Sequence, residues 1–199
     1  GLPKRTDARL RDVSEVAARA CALRALFFYV AWEDVDTAAL THAIERDGLA
    51  VALTAKERTL LATPRAEARQ QWQGRIGWRL ENLWALGWVL GFEPRPPGAA
   101  GMIDDAVIHP LLTEFFPEPG VPLRDWLHQV QPRGEADVIA EEDLFYVAHH
   151  AARAAQLGML SVPPDFHPVR DGGVLHERRH ALTWCVSPGV AWEDTDLST

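Results

Sequence analysis

Cysteine is scarce in this chain: Cys21 and Cys185 are the only two among 199 residues. Two thiols so far apart, neither in a C-x-x-C pair, do not make a disulfide framework. Each is expected as a buried free thiol, which fits a reducing compartment. Long apolar runs are missing too. The longest, "ALFFYVAW" at 25–32, falls far short of the about 20 residues that cross a bilayer. The amino-terminal "GLPKRTDARLRD" is polar and has no stretch of signal-peptide type, so a soluble, cytoplasmic protein is expected. Lys and Arg form no run longer than a pair, and the formal net charge is −8. Such a surface repels phosphate backbones and anionic membranes, which argues against nucleic acid and membrane as partners. A glycine-rich phosphate loop, a G-x-S-x-G elbow and a Cys/His catalytic motif are all absent.

What remains is an ordinary globular composition, 47% hydrophobic and 24% charged, enough to bury a real core and to exclude disorder over most of the length. One helical domain spanning 1–199 is expected, an all-α bundle of about six to eight helices. Val16, Ala20, Leu23, Phe27 and Val30 recur at helical steps between about Val13 and Trp32, with Ser14 as the expected cap. A second helix is expected over Thr37–Asp47, stopped by Gly48, and Thr54 with Glu57 reads as a capping box before a short third one.

The longest expected helix runs from about Arg65 to Gly91 and forms the centre of the fold. Trp72, Ile76, Leu80, Leu83 and Leu90 share one face, and Gly77, Glu81, Trp84 and Trp88 line the neighbouring stripe. Prolines then chop the segment of about 92–134 into irregular pieces. Helices resume over about Glu135–Gly158 and from near Gly173 to Ser187, with the irregular "SVPPDFHPVRDGG" between them and an extended or turn-like tail after them. The eight tryptophans fall mostly at helical spacing, so core packing is their default role, against a sugar- or base-stacking platform. "VAWED" occurs at 30–34 and again at 190–194; without a longer period this reads as coincidence.

The sharpest motif is "LHERRHALTW" at 175–184, in which His176, Glu177 and His180 spell H-E-x-x-H. On a helix that spacing puts two imidazoles on one face with a carboxylate beside them, as in zinc peptidases. Three features oppose that reading. Arg178 and Arg179 fill the intervening positions and would repel a dication. Thr183 and Val186 stand where the longer form of the motif has Gly and His, so a third ligand has to come from Glu193, Asp194 or Asp196 of the tail. The motif also fixes only three positions. His149 and His150 add little, because neighbours on a helix point about 100° apart.

"VLHERRHALTWCVSPGVAWEDTDLST", "WRLENLWALGWVLG" (78–91) and "EADVIAEEDLFYVAHHAARAAQLG" (135–158) resemble stretches of an uncharacterised bacterial family, domain-of-unknown-function family 4272; "DVSEVAARACALRALFFYV" (12–30) is similar to its opening helix and "LTAKERTLL" (53–61) to its short capped one. The resemblance implies a fold and no activity. It places an aromatic residue at the position of His176, so it carries over Glu177, Arg178, Ala181 and Trp184 together with Trp192, Asp194 and Asp196, and no zinc pair. Glu81, on the Trp84/Trp88 stripe, needs a cationic partner, with Arg178 or Arg79 the natural candidates. A polar network of Glu81, Glu177, Arg178 and Asp194, with Asp196 beside it, is therefore expected to pin the last helix and tail onto the central helix. A ligand cleft lined by Trp and carboxylates is the competing reading. The functional expectation is a non-enzymatic interaction or accessory domain without a cofactor or metal, whose acidic surface favours a basic protein partner, as in an inhibitory or immunity-type protein. The alternative is a zinc-dependent hydrolase using His176 and His180, with Glu177 as base. Oligomeric state is left open.

Overall fold

Asp12 opens the first helix, its carboxylate accepting from the N–H of Ser14 at 2.8 Å. Ser14 is thus the capped residue rather than the cap, because its hydroxyl also turns back to donate to Asp12. The computed structural model describes residues 9–98, 101–159 and 163–198. The polar residues 1–8 and parts of both irregular connections lie outside them. Helix α1 (Val13–Ala31) buries Val16, Leu23, Leu26 and Val30. Asp36 caps α2 (Thr37–Arg46) through two backbone N–H groups. Gly48 then takes a left-handed φ of 63° and leads into a 3-10 turn over Leu49–Ala52. Thr54 and Glu57 form both bonds of the capping box that starts α3 (Ala55–Ala62).

The long helix expected over 65–91 is two helices, α4 (Arg65–Ile76) and α5 (Trp78–Val89). Gly77 keeps helical angles, but the N–H of Leu80 donates to the Gly77 carbonyl in a tighter, three-residue bond of 3.1 Å. Two glycines within four positions make the backbone cheap to re-aim there. Residues 81–90 are all buried, so α5 alone is the central helix.

Within the segment of about 92–134, prolines leave room for α6 (Asp105–Pro110), one wide turn of π type over Leu111–Phe115, and α7 (Leu123–Leu127). Gly91 enters this segment at φ 108°, with a Cβ there falling 2.6 Å from the Gln131 carbonyl oxygen, so no other residue fits. Helix α8 (Glu135–Gln156) follows, then α9 (Arg170–Cys185), which starts three residues before the expected Gly173, and a 3-10 turn over Trp192–Asp194.

Helix α5 lies between α1 and α9, α8 covers the far side of α9, and α4 runs beside α1. The described residues hold nine α-helices and no strand, an all-α fold. The count exceeds the expected six to eight because the long helix divides and the proline-rich middle keeps two short ones. Leu23 and Leu26 of α1, Leu83 and Leu86 of α5, Phe145 of α8 and Leu182 of α9 meet in one core, where truncating any leucine to alanine costs about 2–5 kcal/mol. Trp84, Trp88, Trp126, Trp184 and Trp192 are buried, Trp72 and Trp78 half-buried, and Trp32 exposed. Cys21 and Cys185 are free and buried, and burial pushes both thiols up to about 12. Among the described residues no helix is long and apolar enough to cross a membrane.

Candidate functional site

Helix α9 carries the H-E-x-x-H stretch, and its consecutive residues, turned about 100° apart, face three different neighbours. Arg178 points at α5. Its Nε donates to Glu81 at 2.8 Å with both side chains fully buried. Its Nη1 and Nη2 reach the carbonyls of Pro97 and Gly101 at 2.7 and 2.9 Å, and the guanidinium lies over the Trp84 ring. The second oxygen of Glu81 accepts from the N–H of Ile103 at 2.8 Å. One ion pair therefore staples the irregular loop after α5 to two helices. Burial pushes the Glu81 carboxyl up and draws Arg178 down, each opposed by the charge of the other.

Glu177, one step around the helix, cannot share that pocket. It faces Arg79 at 3.5 Å, and its carbonyl accepts from Asn82 at 2.6 Å. Asp194 is exposed on the tail turn. Asp196 accepts from the N–H of Ser198 at 2.9 Å. Of the four side chains expected in one network, the structure brings Glu81 and Arg178 together and places Glu177 and Asp194 elsewhere.

Arg179 turns to α8 and to the tail. Its Nη1 donates to His149 Nδ1 at 2.8 Å and to the Leu197 carbonyl at 3.0 Å. An arginine only donates, so His149 accepts at Nδ1 and carries its proton on Nε2. The guanidinium also stacks on Tyr146 and lies 3.9 Å from Glu142, which accepts from Thr183. Burial first, then His176 and Arg179 nearby, hold His149 down at about 4. Its neighbour His150 is exposed.

The two histidines of the motif serve the same packing. His176 packs against the His149 ring at 5.2 Å. His180 Nε2 lies 2.9 Å from the Trp192 carbonyl. A carbonyl only accepts, so that nitrogen is the protonated one and is not a free ligand. His180 also stacks on Trp192 with ring centroids 4.3 Å apart. Burial lowers both imidazoles. Among the described residues, no three His, Cys, Asp or Glu side chains converge to hold a metal.

Two arginines that look like surface residues in the sequence complete the arrangement. Arg11 closes the carboxyl end of α9: its Nε and Nη2 donate to the carbonyls of Trp184, Ser187 and Val190 at 3.2, 2.7 and 2.8 Å, and it stacks on Trp184. A cation there also suits the negative end of the helix. Arg19 grips Glu57 with two bonds of 2.7 and 2.9 Å, donates to the Ala52 carbonyl, and lies 4.1 Å over the Trp192 ring. Arg19 sits on the same stripe as Val16, Ala20 and Leu23, and a charge on a core stripe is the signal that could have found it. The second "VAWED" copy ends beside Arg19. The first begins at Val30, near the far end of α1, about 16 Å along the axis from Arg19 at 1.5 Å per residue, so the two copies do not meet.

Between α1, the turn at 49–54 and the tail turn lies a cleft of about 260 Å³, with Arg11, Arg19 and Trp192 on its walls and Glu15 and Glu193 at its edge. Residues 2–195 match the model of a family described as Domain of unknown function (DUF4272). No curated protein and no solved structure matches the chain. With nearly its whole length covered, the chain belongs to the DUF4272 family.

Proposed function

We propose that the chain works as one cytoplasmic helical domain, without cofactor or metal, that docks a basic protein partner on its acidic exterior, as an accessory or inhibitory protein does. The observation that carries this is how charge divides between core and surface. Among the described residues, buried Arg11, Arg19, Arg178 and Arg179 are set against buried Glu57, Glu81, Glu141, Glu142 and Asp171. The interior is thus close to balanced, and the acidic excess of the chain, −8 in all, stands on the outside. Glu33, Asp34 and Asp36 cluster at the loop after α1, and Glu193 and Asp194 stand on the tail turn, all exposed. Exposed charge of one sign steers a partner of the other sign and sets association rate more than final affinity. The polar side chains of α9, by contrast, are spent on holding helices and tail together.

The test is cross-linking in living cells from a photoreactive residue placed at Asp34 or Glu193, with the captured peptide sequenced. A basic partner released by salt supports the proposal. Capture of acidic partners only, or of none, overturns it.

A further inference from the structure

Helix α8 is apolar on two sides. Its inner face packs Val138, Phe145, His149 and Ala152 against α9 and the core. A second stripe, of Ala140, Leu144, Val147, Ala151 and Ala154, runs about 150° round the helix from it, at 100° per residue. These five sit at steps of four, three, four and three, the spacing of a seam that packs one helix against another. Leu144 and Val147, at its centre, are 41% and 51% exposed. The outer side of a surface helix is ordinarily its charged and polar side, so an apolar seam there calls for a covering surface.

The border of the seam says what that surface is. Ala136, Asp143, His150 and Leu157 follow one another along it every seven residues. Asp143 and His150 have no hydrogen bond or ion pair among the described residues. Turned end for end, this edge matches itself: Asp143 meets His150 of a second copy and Ala136 meets its Leu157, each pairing made twice about a two-fold axis. An imidazole N–H donates to a carboxylate in either protonation state. In the same register Leu144 lies against Val147 of the second copy, and Ala140 against its Ala151, so large side chains meet at the centre and small ones towards the ends. A parallel pairing would bring Asp143 to Ala148 and His150 to Ala155, leaving both polar groups unmatched.

We propose that α8 is the interface of an antiparallel, two-fold dimer of this chain, closed over Leu144 and Val147 and oriented by the Asp143–His150 pairs. The dimer does not depend on the docking role above, whose acidic loops at 33–36 and 193–194 belong to other elements. A pair of 22-residue helices makes a small, reversible interface, so a dissociation constant on the order of 10–100 µM is expected. Each copy carries a net charge of −8, and salt that screens this repulsion favours association.

The test is sedimentation velocity of the full chain from about 5 to about 500 µM in about 0.15 M salt. The expected result is a shift from monomer to dimer mass across that range. Val147→Glu, at a half-open position, should keep the helical circular dichroism and Tm of the parent and stay monomeric throughout. Asp143→Arg and His150→Glu each remove the complementary pairs and should weaken the dimer by about fivefold, as two exposed charge pairs give. The combined Asp143→Arg/His150→Glu protein restores both pairs with the signs exchanged and should recover the dimer. A chain that stays monomeric at the highest concentration overturns the proposal, as does a dimer that Val147→Glu leaves intact. A combined variant no better than the single ones overturns it too, because an antiparallel edge must tolerate the exchange.

Discussion

Arg178 and Glu81 meet at 2.8 Å with neither side chain reaching solvent, and their remaining polar atoms are taken by the backbone of Pro97, Gly101 and Ile103. Removing one member strands a buried charge. Arg178→Met or Glu81→Leu alone is expected to cost about 3–5 kcal/mol, a fall of roughly 6–20 °C in Tm for a chain this long. The double change Arg178→Met/Glu81→Leu should cost less than the sum of the two, because neither charge is then left alone. Thermal unfolding of the three variants checks this; additive losses would show that the pair does not act as a unit.

How much of this was legible beforehand follows from where each residue sits. Glu81 shares a stripe with Trp84 and Trp88, so its burial and its need for a cation could be read directly. The capping box at Thr54 and the left-handed stop at Gly48 could be read because each is a local device with a fixed spacing. The rest depends on contacts between residues far apart in the chain. Arg11 closes a helix that ends more than 170 positions later, and no local pattern announces such a partner. Arg178 and Arg179 are adjacent in sequence yet serve α5 and α8 separately, which only the placement of both helices around α9 can decide. The division of the long helix at Gly77 was hidden because the apolar period continues unbroken across it.

The Thr54–Glu57 box carries a second duty, since Glu57 also receives Arg19. Thr54→Ala removes one cap bond at the start of α3 and is expected to cost about 1 kcal/mol. Glu57→Gln retains an acceptor for the Thr54 N–H but leaves Arg19 as a buried cation without its counter-charge, and should cost several-fold more, about 3–5 kcal/mol. Chemical denaturation of both variants gives the ratio; equal losses would mean that the Arg19 pair contributes nothing beyond the cap.

Acid should weaken the fold through the imidazoles around Arg179. His149 titrates at about 4 in the folded chain against an ordinary 6.5, so between those values the unfolded chain binds more protons. Stability then rises with pH across that window and is lost as pH falls from about 6.5 toward 4. His176 and His180, also lowered, push in the same direction. Asp47, Glu57 and Asp171, whose carboxyls are held low, extend the loss to lower pH, while the raised Glu81 and Glu141 oppose it. His149→Gln, which still accepts from Arg179 but does not titrate, isolates the largest histidine contribution. Its urea midpoint, followed from pH 7.5 to 4.5, should fall less than that of the parent. Parallel curves for the two proteins would remove His149 from the account.

Zinc supplies the sharpest contrast for the α9 motif. A protein zinc site needs at least three converging ligands, and among the described residues no three His, Cys, Asp or Glu side chains converge; His180 Nε2 instead directs its proton at the Trp192 carbonyl, while Arg179, the residue before it in the sequence, holds the tail at Leu197. His180→Ala should therefore act as a tail mutation: a loss of about 0.5–1.5 kcal/mol for the hydrogen bond, with additional loss of the Trp192 stacking and faster amide exchange over the turn Trp192–Asp194. Elemental analysis of the parent, purified without chelator, is expected to find the same trace zinc before and after the substitution, and saturating zinc should leave Tm where it was. Stoichiometric zinc in the parent that disappears in His180→Ala would reverse this assignment and turn α9 from a strut into a metal-binding helix, because no packing role for His180 predicts a dependence on the ion.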